Sequence, residues 1–263
     1  MKIVGCDFHP SYQQIAVLDT ETGEVQQKKL MHANVRKQKT DKRDAGHILT
    51  LLIEKRFPRL WMADAQQRDI RQLLTHRHKL VGVRTRLKTE LQHLALNQGV
   101  QKKRKLWNKE GRALLENLPL EGWTRQRRKD LLELLTVVEP QIEQLDKAVE
   151  QAALANSQAV LLMTQPGVGP ITSLAFVVTI GEVSRFHHSN QVASYLGLIP
   201  SERSSGNKRR LGSISKQGNV FLRALLVEAA QSVVRNDPEF RKEYQHRCHH
   251  KAKGIAKVAA ARK

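Results

Sequence analysis

With 263 residues, 40% of them apolar, the chain can bury a core sufficient for one large domain or two modest ones. Its 45 Lys and Arg outnumber 25 Asp and Glu to a formal net charge of +20, which points to a polyanionic partner, nucleic acid first, because each cation beside a phosphate releases condensed counterions; a generally solubilising basic surface is the plainer reading. No stretch nears about 18 uninterrupted apolar residues, no signal core or lipid-anchor motif stands out, and Cys6 and Cys248 make no disulfide framework, so a membrane partner is excluded and a reducing cytoplasm is expected.

In chain order, residues 2–30 read as a β-meander. Strands are expected over Lys2 to Phe8, Gln13 to Leu18 and Glu24 to Leu30, the last two joined by the polar turn Asp19-Thr20-Glu21-Thr22-Gly23. Met31 to Arg43 is basic and aperiodic. A helix is expected from Thr40 or Asp41, with Ala45, Ile48, Leu49, Leu52 and Ile53 at helical spacing.

Long helices should dominate residues 66–156. Leu73, Leu80, Val83, Leu87, Leu91 and Leu94 mark one arm. Leu131, Leu135, Val138, Ile142, Leu145 and Val149 mark a second, stepping by four and three as a heptad seam. Pro140 should kink that arm or split it in two. The basic link Gln101-Lys102-Lys103-Arg104-Lys105 lies between them. Core packing, a helical hairpin and a dimeric coiled coil would all use the same leucines.

Beyond residue 157, Pro166-Gly167-Val168-Gly169 between two apolar stretches reads as a helix-hairpin-helix. Its backbone N–H groups, at Gly167 and Gly169, suit a DNA phosphate; a plain helix–helix turn is the alternative. A polar loop follows Tyr195-Leu196-Gly197-Leu198-Ile199-Pro200. There Ser204 and Ser205 are flanked by Arg203, Lys208, Arg209 and Arg210, with Lys216 further on. Such serines could bind phosphate, or attack it if the cations stabilise the developing charge; a flexible basic loop fits the spacing as well. A helix should run from about Asn219 to Arg235. His246, Cys248, His249 and His250 belong to a solvated basic tail, since no second ligand pair stands at zinc-finger spacing.

Asp7 near the end of the first strand and Asp41 and Asp44, three apart at a helix start, could hold a hard divalent cation through oxygen. An N-cap and a solvated acid beside Lys42 and Arg43 would account for the latter two equally.

Taken in order, Gly5-Cys6-Asp7-Phe8-His9, Lys39-Thr40-Asp41-Lys42-Arg43-Asp44-Ala45, Leu162 to Pro170, Tyr195 to Pro200, Ser204-Ser205-Gly206 and Leu211 to Asn219 resemble the insertion sequence 110 family of transposases, in its helix-hairpin-helix branch. The resemblance spans nearly the whole chain. It implies an α+β, mostly α fold in three parts. These are a RuvC-like, RNase H-type domain (1–60), a helical coiled-coil region (61–156) and a C-terminal transposase domain (157–263). It further implies Mg²⁺-dependent DNA strand cleavage and exchange through a serine–DNA link. The implied partners are element-end and target DNA, a structured guide RNA, and a second copy in a homodimer or tetramer. Asp7 matches the first metal-binding acid, Asp41 and Asp44 the third and fourth, and Ser205 the nucleophile, with Ser204 its rival. No residue matches the family's Glu. Several tens of residues between Leu30 and Val35 are missing relative to the family, and Glu21 and Glu24 in the hairpin are poor substitutes. The resemblance thus implies an internally deleted, impaired enzyme, or a remnant that only binds nucleic acid. Lys257 to Lys263 reads as the start of a helix that continues in the family.

Overall fold

The computed structural model describes residues 2–9, 12–30, 41–56, 61–101, 105–202 and 210–263. They fall into two compact units that part between Met62 and Ala63. Helix dominates, with two small antiparallel sheets, so the chain is α+β and mostly α.

The first unit is the expected meander with one helix on it. Strands β1 (Lys2–His9), β2 (Tyr12–Asp19) and β3 (Val25–Leu30) pair antiparallel in that order. The turn between β2 and β3 is fixed locally: Asp19 Oδ1 accepts from Glu21 N at 3.0 Å, and Gly23 takes φ 73°. Helix α1 (Asp41–Ile53) covers one face of the sheet. Ala16, Ala45 and Leu49 form its buried centre, with Ile3 and Leu18 packed around. Gly5 allows the close approach. A Cβ there would lie 3.1 Å from both the Ala45 carbonyl oxygen and the Leu49 nitrogen, tighter than side chains normally tolerate. The opposite face carries Val4, 52% exposed, whereas Val25, paired with Leu18 on the edge strand, lies on the α1 side and is still 51% exposed.

The second unit starts with two long helices. Helix α2 (Ala65–Asn97) is capped by Asp64, whose carboxylate accepts from Gln67 N at 2.7 Å. The chain returns through the short α3 (Lys109–Glu116) into α4 (Gly122–Leu154). Arg77 pairs with Asp146, and Arg127 with Glu90, so α2 and α4 run antiparallel. Leu87, Leu91 and Leu94 meet Leu131, Leu135, Val138 and Ile142 in the buried seam, which Leu106 and Leu115 close from the α3 side. Each such leucine contributes roughly 1.5–3 kcal/mol on burial. The heptad pattern thus packs within the chain as a helical hairpin. Val83, placed in the stripe by spacing, is 37% exposed. Helix α4 runs unbroken through Pro140, which sits on its exposed side.

Helices α5 (Ser157–Met163), α6 (Pro170–Ile180), α7 (Ser189–Tyr195) and α8 (Val220–Asn236) gather at the other end of the arms. Helix α6 is their centre: Leu174, Ala175, Val177, Val178 and Ile180 are buried against Leu74, Val149, Ala153 and Leu222. Two features differ from the sequence expectation. The polar segment after Ile199 is framed by a hairpin, β4 (Pro200–Glu202) with β5 (Leu211–Ile214). The basic, His-rich tail is helical, as α9 (Pro238–His250) and α10 (Lys253–Arg262). Asp237 Oδ1 accepts from Glu239 N and Phe240 N, and Pro238 supplies the first helical turn. No described helix is long and apolar enough to cross a membrane.

Candidate functional site

Two sets of residues were singled out by chemistry, one in each unit. In the first unit, Asp41 and Asp44 occupy the first turn of α1, both half-buried. Acids suit that position, because the N-terminal end of a helix carries partial positive charge. Asp44 is not free, since it already interacts with a neighbour. Strand position 7 pairs with Gln14, which is buried. It lies two residues beyond Gly5, where β1 packs close against α1. The Asp7 side chain itself is outside the described residues. Two carboxylates on one helical turn are hard oxygen donors of the kind Mg²⁺ takes, so the donor chemistry fits a divalent cation. Among the described residues no group of three acids, His or Cys is gathered as a metal site.

In the second unit, Ser204, Ser205, Arg203, Lys208 and Arg209 lie outside the described residues. The hairpin that frames them is described on both sides, from Pro200 to Glu202 and from Arg210, which is exposed, to Ile214. Behind it the chain is held tightly. Ser215 N donates to Ile199 O at 2.8 Å and Lys216 N to Gly197 O at 3.2 Å. Lys216 is exposed and sits at φ 55°, a left-handed conformation that costs a non-glycine residue about 1–2 kcal/mol. Arg223 explains how this shape persists. Its guanidinium is 8% exposed and donates through Nη1 to Leu196 O at 2.9 Å and to Gln217 O at 2.6 Å. It ties the end of α7 to the loop that presents Lys216. Sequence reading passed over Arg223, although a lone cation inside Phe221-Leu222-Arg223-Ala224-Leu225-Leu226 was the available signal.

The turn between α5 and α6 divides its two glycines. Gly167 has φ 81°, and a Cβ there would lie 2.7 Å from Ala229 O on α8. Packing therefore requires it. Gly169 is open, with nothing within 4 Å of an added Cβ, and it precedes Pro170 at the start of α6 without a side-chain cap. Its neighbourhood can accept an anion on free backbone N–H groups. Beside the hairpin, a cavity of about 930 Å³ opens toward α10. Leu198, Pro200, Leu211 and Ile255 wall it, and Arg247, Lys251 and Arg262 add positive charge.

Two family models match this chain. One, described as a transposase of the IS116/IS110/IS902 family, covers residues 159–245, which include the α5–α6 turn and the serine hairpin. The other, the DEDD transposase model of IS110, covers residues 10–98 with Asp41 and Asp44. The chain belongs to the insertion sequence 110 family of transposases. Relatives that resemble it include the transposase for insertion sequence element IS1111A of Coxiella burnetii, 31% identical over 77% of this chain and 57% of that protein. A probable family 20 transposase of Pseudomonas aeruginosa is 30% identical over 65% of this chain and 52% of its own length. The chain thus spans a little over half the length of these transposases.

Proposed function

We infer that this chain serves in DNA transposition as an insertion-sequence transposase that still grips nucleic acid but is impaired in cleavage. The observation that carries the reading is the match of two family models in one chain of net charge +20, one over the segment with Asp41 and Asp44 and the other over the segment with Ser204 and Ser205. DNA at the element ends and at the target is the substrate class, and a structured guide RNA is the expected partner. Gly169, the Arg203 to Arg210 loop and Lys216 would hold phosphates without reading sequence. Ser205 would be the nucleophile, with Ser204 as its alternative. Its hydroxyl oxygen would attack a backbone phosphorus and displace a sugar oxygen, and the flanking cations would take up the charge that develops.

Asp7, Asp41 and Asp44 would hold Mg²⁺ in a RuvC-like, RNase H-type site. A bound Mg²⁺ supplies charge neutralisation and orients phosphate oxygens. The chain provides no counterpart of the family's Glu, and the segment between β3 and α1 is too short to carry the strands expected there. Three acids would bind the cation more weakly than four. A second reading, a remnant that binds guide RNA or element DNA without cutting, draws on the apolar residues the small sheet leaves exposed, Val4 on the face away from α1 and Val25 on the edge strand β3, which a complete RNase H-type domain would cover. Cleavage of element-end DNA with Mg²⁺ and guide RNA, run beside salt-dependent binding, separates the two: weak cleavage supports the impaired transposase, and binding without cleavage supports the remnant.

A further inference from the structure

We propose that the free end of the α2–α4 arm is a docking surface for unpaired nucleotides of single-stranded nucleic acid, with Trp123 as the stacking face. The proposal rests on this end alone and not on the acids or the serine loop.

The loop entering α4 is anchored. Leu118 and Leu120 are buried, Leu120 N donates to Leu118 O at 2.8 Å, and Arg128 Nη1 donates to the same carbonyl at 2.9 Å. Gly122 then turns the chain at φ 52°, with open space around it. Trp123 follows on the first turn of α4 and is 88% exposed. Residues 121–127 are all exposed, so nothing apolar covers the ring. Tryptophan is seldom left so bare, and here a fixed backbone presents it with only two side-chain torsions to order on binding.

The charge around the ring selects the occupant. Between Glu121 and Asp130 the chain carries Arg125, Arg127, Arg128 and Lys129 with no intervening acid. Arg127 lies one turn from Trp123 on the same helix face; it touches Glu90 at 2.9 Å, yet its side chain stays 57% exposed. An open π-face among cations matches a base and its phosphates, tolerates any sequence, and finds no purchase on stacked duplex bases. Leu134 and Val137, 52% and 58% exposed, share this face and could serve a partner helix. However, Arg127 and Asp130 interrupt the stripe between Trp123 and Leu134, so an apolar seam does not reach the ring.

The test measures binding of the full chain to labelled oligo(dT), oligo(U) and a duplex of equal length over a salt series. Trp123→Leu should weaken single-strand binding by roughly tenfold, and Trp123→Tyr should stay close to wild type. Duplex affinity and the salt slope should not move in either variant, while Arg125→Ala should lower the single-strand slope by about 1. A loss confined to oligo(U) identifies RNA as the strand held, one confined to oligo(dT) identifies DNA, and equal loss on both means the surface accepts either. Unchanged single-strand affinity in Trp123→Leu overturns the proposal, as does equal loss on the duplex. A smaller assembly in sedimentation without any change in single-strand binding would instead make this face a protein interface.

Discussion

Gly197 and Gln217 are packed so closely that a Cβ on Gly197 would lie 2.3 Å from the Gln217 carbonyl oxygen and 2.4 Å from its nitrogen. Gly197 also takes φ 67°, so the position excludes a side chain twice over. Gly197→Ala is expected to cost at least about 2 kcal/mol of folding stability, combining backbone strain with overpacking. A thermal melt measures it; an unchanged midpoint would mean that the α7–loop junction is soft.

The same junction separates shape from charge at Lys216. Lys216→Gly should relieve the left-handed strain and raise stability by about 1 kcal/mol. It should also weaken nucleic-acid binding and reduce the salt slope by about 1, the signature of one lost phosphate contact. Opposite signs in denaturant unfolding and in binding identify a residue strained for function. Equal signs would make Lys216 merely structural.

Pro140 sits inside α4 on its exposed side. It has no N–H for the Thr136 carbonyl, and its ring crowds that carbonyl. Pro140→Ala should therefore stabilise the arm by roughly 1–3 kcal/mol, read from the denaturant midpoint at constant m-value.

Glu243 gathers Lys263 and Arg247 across α9 and the end of α10. Its carboxyl is held below the usual carboxylate range, chiefly by the hydrogen bond from Lys263 Nζ, with desolvation working the other way and Arg247 adding to the depression. A depressed folded value stabilises above the ordinary carboxylate range, and that stability is lost as pH falls through the folded value. The melting temperatures of wild type and Glu243→Gln should therefore differ at neutral pH and converge as pH falls below the ordinary carboxylate range.

Much of this was legible in the sequence, and the misses have physical causes. The meander, the α1 start and the α4 seam stood out because each buries one face at a fixed period, as Ala45 with Leu49 and Leu131 with Leu135 do. Helix α9 did not, because no residue in it is fully buried; its signal was the cap Asp237-Pro238, not periodicity. The β4–β5 hairpin has three- and four-residue strands, too short to show alternation. At the candidate site, residue types could be read but not packing. Gly167 and Gly169 look alike in sequence, yet one is pressed against Ala229 and the other is open. Arg223 hid among apolar neighbours because its partners, Leu196 and Gln217, are backbone carbonyls.

The most direct test is cleavage of element-end DNA with Mg²⁺ and the cognate guide RNA, with Ser205→Ala and Asp44→Ala beside the unaltered chain. The account predicts weak cleavage by the unaltered chain that is lost in both variants, together with tight, salt-sensitive binding by the unaltered chain. No cleavage by the unaltered chain, with tight binding kept, would contradict it and would mean that the chain is a nucleic-acid-binding remnant.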